Sequence, residues 1–215
     1  MVSLPEMGDA NQMDFVLENR ERVKGPILEI GSKDHGNTID VRGHFPDVPY
    51  VGVDQEEGKG VDVVCDFTLP LEAIREKLGG ARFGTVICFS TLEHCRQPFK
   101  MAENITELME PGGTLFLSVP WVWNIHGFPD DYWRFTPSAI RILFPGLEAI
   151  EASSFWSTKN RGERFPLSVT ILNVKEPMFF KTPELARELR RQGLSNFRHP
   201  YYCFPVMLNM LLVKR

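Results

Sequence analysis

Three short β-branched runs, each stopping on an acidic residue or a glycine, constrain this chain more than any other feature. They are Pro26-Ile27-Leu28-Glu29-Ile30-Gly31, Tyr50-Val51-Gly52-Val53-Asp54 and Val61-Asp62-Val63-Val64-Cys65-Asp66-Phe67. Between the first two lie a Gly- and Asn-containing turn and, from Ile39 to Phe45, at most a short helix. Strands that end this way in series set carboxylates along the crevice of an open α/β sheet, where a ribose and a base bind. A carboxylate accepts both hydroxyl donors of a ribose, and an exocyclic amine is a further donor suited to Asp66 or Asp62. Glycine at the end of the first strand lets the backbone approach a ligand closely. The series implies an adenosyl-type cofactor.

The rest of the chain continues the alternation. Met13, Val16, Leu17 and Arg20 recur at helical spacing, which predicts an amphipathic helix over about 9–23. Further helices are expected over Leu71–Leu78, stopped by Gly79-Gly80, over Pro98–Met109 and over Pro137–Leu143. Phe83–Phe89 is a continuous apolar strand, as expected of one covered on both faces. Thr114–Val119, Leu147–Phe155 and Val206–Val213 complete the strands. Strands alternating with helices predict a parallel sheet with right-handed crossovers. Residues 160–205 form an insert, with a strand expected at Ser168–Val174 and a helix at Glu184–Gln192.

With 215 residues, 43% of them hydrophobic, the chain can bury one substantial core, so a single domain over 1–215 is expected. A formal charge of −4 gives no global attraction to nucleic acid or to an anionic membrane. The arginines of the insert (Arg161, Arg164, Arg187, Arg190, Arg191 and Arg198) read as a solvated face rather than an RNA grip. Cys65, Cys88, Cys95 and Cys203 have no CxxC spacing, so neither a disulfide framework nor a metal site is expected from them. No stretch reads as a signal peptide or a membrane span, and the expected location is cytoplasmic.

Two further phrases carry a family resemblance. Ser90-Thr91-Leu92-Glu93-His94 follows the fourth strand, and Glu110-Pro111-Gly112-Gly113-Thr114-Leu115 leads into the fifth. With the strand-end acids, they make residues 24–155 resemble a class I S-adenosylmethionine-dependent methyltransferase, closest to the small "type 11" group. The resemblance implies a Rossmann-like, seven-stranded, mostly parallel sheet with helices on both faces and an antiparallel last strand. It also implies that Glu29, Gly31 and Ser32 form the first cofactor loop. Asp54, followed by Gln55, would take the ribose hydroxyls. Asp66 and Phe67 would hold the adenine, and Ser90 and Thr91 would lie near the methionine end. One departure stands out: Lys33 occupies the place of the family's second loop glycine.

The segment Trp121 to Pro137 follows the fifth strand directly and mixes aromatics with a histidine, two carboxylates and an arginine. That composition suits a lid or acceptor wall that excludes water. From His126 onward it resembles the His-Gly-x-Pro-x-Asp-Tyr-Trp-Arg-Phe-Thr-Pro segment of many type 11 enzymes. His126 is the first candidate for general base, because imidazole titrates near neutrality, and His94 is the second. Either histidine could instead brace its own segment. Trp123, Tyr132 and Arg134 are candidate acceptor contacts, with pairing to Asp130 or Asp131 as the other role for Arg134.

The function expected is methyl transfer to a small or carbohydrate-like acceptor, with oxygen preferred over nitrogen. No Asn/Asp-Pro-Pro-Tyr motif follows the fourth strand, which argues against amino-methylation of nucleic-acid bases. The alternative is a non-catalytic binding module whose pocket Lys33 has closed. A dehydrogenase is set aside because no Gly-x-Gly-x-x-Gly follows the first strand.

Overall fold

The computed structural model describes residues 9–36, 38–127, 130–158, 162, 164–168 and 205–215. Helix α1 (Asp9–Glu18) and a 3-10 turn (Arg20–Arg22) precede β1 (Ile27–Ile30), β2 (Tyr50–Asp54) and β3 (Val63–Val64). Then come α2 (Leu71–Lys77), β4 (Phe83–Phe89), a 3-10 turn (Leu92–His94), α3 (Pro98–Leu108) and β5 (Met109–Pro120). The final third holds α4 (Pro137–Leu143), β6 (Leu147–Ala149), β7 (Phe155–Ser157), β8 (Arg164–Pro166) and β9 (Met207–Lys214). The sheet runs β3-β2-β1-β4-β5-β9-β7-β8, with β6 also pairing β9. The first five strands are parallel, and β9 enters antiparallel between β5 and β7.

The expected sixth strand is split. A 3-10 turn over Glu151–Ser153 separates β6 from β7, yet both pair with β9. Ser154 explains the tolerance: its hydroxyl donates to the Ile150 carbonyl at 2.9 Å and accepts the Leu211 amide at 3.1 Å. Counting β6 and β7 as one interrupted strand leaves the expected seven, with β8 added at the edge. Strand β5 starts earlier than the sequence suggests, because Met109 already pairs with Phe83 and the Pro111–Gly113 turn survives as a register shift inside the strand. The strand and helix expected between Ser168 and Gln192 lie outside the described residues.

Alternation along each strand splits the core into two faces. Leu28, Ile30, Val86, Cys88, Leu115 and Leu117 pack with Ile74, Met101, Ile105 and Ile140 on the side of α2, α3 and α4. Ile27, Ile87, Phe116 and Leu211 point the other way and pack under Phe15 and Val16 of α1. Phe15 meets the edges of Phe116 and Phe155 at ring-centroid distances of 5.2 and 5.5 Å. Cover on both faces is what lets the strands be apolar throughout. Among the described residues no helix is long and apolar enough to cross a membrane.

A buried hydrogen-bonded chain fixes α1 against the sheet. Gln12 Nε2 donates to Ser118 Oγ at 2.9 Å, Ser118 Oγ to Asn209 Oδ1 at 2.8 Å, and Asn209 Nδ2 to Ser157 Oγ at 3.0 Å. All four residues are buried, so each lost link would strand a polar group away from water. Asn209→Ala removes the central pair of bonds and is expected to destabilise the fold by about 2–4 kcal/mol in urea unfolding, with the m-value unchanged.

Candidate active site

The parallel register brings the carboxyl ends of β1, β2 and β4 to one level, since Ile30 pairs with both Val53 and Cys88. Above these ends lies an open cleft of about 670 Å³. Glu29, Gly31, Asp54, Gln55, Asp66, Phe67, Ser90, Thr91, His94, Trp123 and His126 all line it. The structure therefore brings together residues from the first loop, three strand ends and the segment after β5.

The first loop turns sharply at Gly31. Its φ is +79°, and a Cβ built there would sit 2.0 Å from Thr91 Oγ1, so only glycine fits. Thr91 Oγ1 lies 2.8 Å from the Phe89 carbonyl and 3.2 Å from that of Ile30, tying the end of β4 to β1. Ser90 takes the left-handed region at φ +46°, an unusual backbone for a residue with a side chain. Glu29 receives the Tyr50 hydroxyl at 2.9 Å, and burial holds its carboxyl above the usual carboxylate range.

Asp62 and Asp66 differ in their partners. Asp62 is gripped by both terminal nitrogens of Arg42 and by the Gly52 amide at 2.7 Å, and it does not face the cleft. Asp66 accepts the amide and hydroxyl of Thr68 on Oδ1, each at 2.8 Å, which leaves Oδ2 for a ligand. The Asp54 carboxylate accepts the Glu56 amide at 3.1 Å and the Lys33 amide at 3.4 Å while lining the cleft. Lys33 reaches Glu56, with Nζ 2.6 Å from Oε2, so its charge is paired at the rim.

Three sequence-derived candidates fall outside the cleft wall. Ser32 is buried behind β2, its Oγ only 2.7 Å from where a Gly52 Cβ would stand. The Tyr132 hydroxyl accepts from Arg96 Nε at 2.6 Å. Arg134 clamps Asp131 through contacts of 2.5 and 2.8 Å and reaches the Trp123 carbonyl at 3.3 Å. The arginine thus anchors the segment, holding the Asp131 carboxyl down at about 2.

That anchored segment carries His126 over His94, their rings 4.8 Å apart and edge to face. His126 Nδ1 is 3.2 Å from Asp131 Oδ2 and 3.1 Å from the Asn124 carbonyl. His94 Nδ1 is 2.7 Å from the Asp130 carbonyl, and desolvation lowers the pKa of the ring, so it stays neutral at pH 7. Beside them Glu93 is fully buried, with neither carboxyl oxygen hydrogen-bonded to another residue, and burial pushes its pKa up to about 8. Gln12, Glu93 and Met207 also line the cleft and were missed as site residues; only the Leu-Glu-His phrase hinted at Glu93.

A family model described as a methyltransferase domain matches residues 10–198. The chain belongs to this methyltransferase family. None of the curated protein sequences matches it. Solved structures with the same fold include an S-adenosylmethionine-dependent methyltransferase from Anabaena variabilis, 11% identical over 100% of this chain and 89% of that one, TM-score 0.57. Another is the 1,6-didemethyltoxoflavin-N1-methyltransferase of Burkholderia thailandensis, crystallised with 1,6-didemethyltoxoflavin and S-adenosylhomocysteine. It is 14% identical, over 97% of this chain and 79% of that one, with a TM-score of 0.56. The [4+2]-cyclase SpnF is also similar, 12% identical over 95% and 80% of the two chains, TM-score 0.54. At such identities the likeness is one of fold, and the reaction must be argued from the site.

Glu93 gives the site a measurable pH signature. Below the ordinary value of 4.5 both folded and unfolded chains hold its proton. Between there and about 8 only the folded chain does, so unfolding releases a proton and stability falls with rising pH by up to ~1.4 kcal/mol per unit. The stability difference between Glu93→Gln and the unsubstituted protein is expected to shift in the variant's favour across that window and level off above it, as read by urea unfolding at stepped pH.

Proposed function

We propose that the cleft binds S-adenosylmethionine and that the chain transfers its methyl group to a hydroxyl of a small or carbohydrate-like acceptor. The observation that carries this reading is the division of the cleft into two chemically distinct ends. One end offers the strand-end carboxylates Asp54 and Asp66, and the other a pair of oriented imidazoles.

The donor set fits the cofactor. Asp54, steadied by two backbone amides, has lone pairs left for the two ribose hydroxyls, with Gln55 beside it. Asp66 Oδ2 would accept the adenine amine, and Phe67 would pack on the base. Gly31 lets the backbone come close, and Glu29, Ser90 and Thr91 form the wall toward the methionine end. When bound, the cofactor supplies an electrophilic methyl group on a sulfonium. Lys33 lines the cleft but its ammonium is paired with Glu56, which supports a pocket open to the cofactor over one closed by a bare charge.

Asp131, ionised and buried beside Arg134, orients His126 through Nδ1 and leaves Nε2 to take the acceptor proton. Trp123 adds an apolar wall that excludes water from the reacting groups. Arg134 acts through the loop, by holding Asp131 and the Trp123 carbonyl. The preference for oxygen rests on this carboxylate–imidazole pair, because a hydroxyl must lose a proton as it is methylated.

Calorimetric titration with S-adenosylmethionine and S-adenosylhomocysteine tests the cofactor half. Asp54→Ala is expected to weaken both by ~10–100-fold, the cost of charged hydrogen bonds. His126→Ala is expected to leave those affinities unchanged and to slow labelled-methyl transfer to a panel of sugars and other hydroxylated acceptors by ~10²–10⁴-fold. Full turnover in the histidine variant would remove it from the base role.

A further inference from the structure

Glu93, His94 and His126 come from two separate segments, yet one ligand-type atom of each lies within 4.8 Å of the others. Both imidazoles are turned the same way. His94 Nδ1 faces the Asp130 carbonyl at 2.7 Å, and His126 Nδ1 faces Asn124 O at 3.1 Å and Asp131 Oδ2 at 3.2 Å. With each Nδ1–H donated to an oxygen, each Nε2 keeps its lone pair. Metal-ligating histidines are held in this way, by a carbonyl or carboxylate on the far nitrogen.

Glu93 supplies an independent observation. Its side chain is 1% exposed, neither oxygen has a hydrogen-bond partner in another residue, and the nearest basic group is His94 Nε2 at 3.8 Å. A buried carboxyl group with no partner is costly unless something else satisfies it. Arg134 does not do so, because its guanidinium is committed to Asp131.

We propose that Glu93, His94 and His126 bind one divalent transition-metal ion at the acceptor end of the cleft. Two imidazoles and one carboxylate suit Zn²⁺, Mn²⁺, Fe²⁺, Co²⁺ or Ni²⁺ better than Mg²⁺ or Ca²⁺, which prefer oxygen. Three protein ligands leave positions open, and an acceptor oxygen is the ligand suited to them. Bonds of ~2.1 Å put neighbouring ligands ~3.0–3.4 Å apart, so from a spread of up to 4.8 Å the widest pair must close by roughly 1.4–1.8 Å. His126 can supply that shift, since its side chain is 32% exposed on a loop whereas Glu93 and His94 sit in one turn. Ion binding stands on this cluster alone; its use in activating an acceptor rests on the methyl-transfer reading above and would make the histidines ligands rather than free bases.

The test uses the full chain, stripped with a chelator and titrated with ZnCl₂ and MnCl₂ by calorimetry and with CoCl₂ by visible absorption. One ion per chain is expected, with Kd raised at least ~10-fold in both His126→Ala and Glu93→Gln while cooperative thermal unfolding persists. Absence of saturable binding up to about 1 mM, or equal binding in folded variants, overturns the site. A parallel titration with S-adenosylhomocysteine separates the two ideas. If that ligand binds and the ions do not, the cofactor reading stands and only this one falls; if the ions bind and that ligand does not, the cofactor reading falls and the ion site stands.

Discussion

Parallel pairing of β1 with both β2 and β4 is the constraint on which the cleft depends. The register sets Ile30 beside Val53 and Cys88, so three strands release the chain at the same height. Gly31, Asp54 and Phe89 come next, with Ser90 one residue on, and their positions are consequences of hydrogen-bond ladders below them. Thr91 locks the arrangement by bridging the Ile30 and Phe89 carbonyls over a glycine that admits no side chain. Any slip in this register would separate the acids that the reading needs together.

Electrostatics then divide the cleft. Several carboxylates are committed to the scaffold: Asp62 to Arg42, Glu56 to Lys33, Asp131 to Arg134. Asp54 and Asp66 are held by backbone and hydroxyl donors of their own turns, which spend few of their acceptor sites. Glu93 stands apart as a buried acid with no such commitment. Of the acids lining the cleft, Glu56 is paired with Lys33, while Asp54 and Asp66 are held only by backbone and hydroxyl donors.

Much of the sheet was legible because buried strands are written as short apolar runs with marked ends. Ile27–Ile30, Tyr50–Asp54 and Phe83–Phe89 needed no tertiary information, and Asp54 and Asp66 follow from where such runs stop. Side-chain direction was less accessible. Ser32 reads as a loop residue, yet the turn at Gly31 carries it beneath β2. Tyr132 looked poised for the pocket, but Arg96, 36 residues earlier, takes its hydroxyl. The burial of Glu93 depends on the loop that folds back over it, where the Tyr132 amide donates to the Glu93 carbonyl at 2.9 Å. Gln12 enters the cleft only because α1 lies across the sheet, a long-range contact that leaves no local mark. The sequence shows Lys33 but not its partner Glu56, which comes into reach only when β1 and β2 pair.

A crystal structure of the chain with S-adenosylhomocysteine tests the central claim most directly. The account predicts the ribose hydroxyls on Asp54, the adenine amine on Asp66, and the sulfur facing the side of the cleft that holds His94 and His126. A ligand bound away from Asp54, or with its sulfur turned from the two histidines, would contradict it.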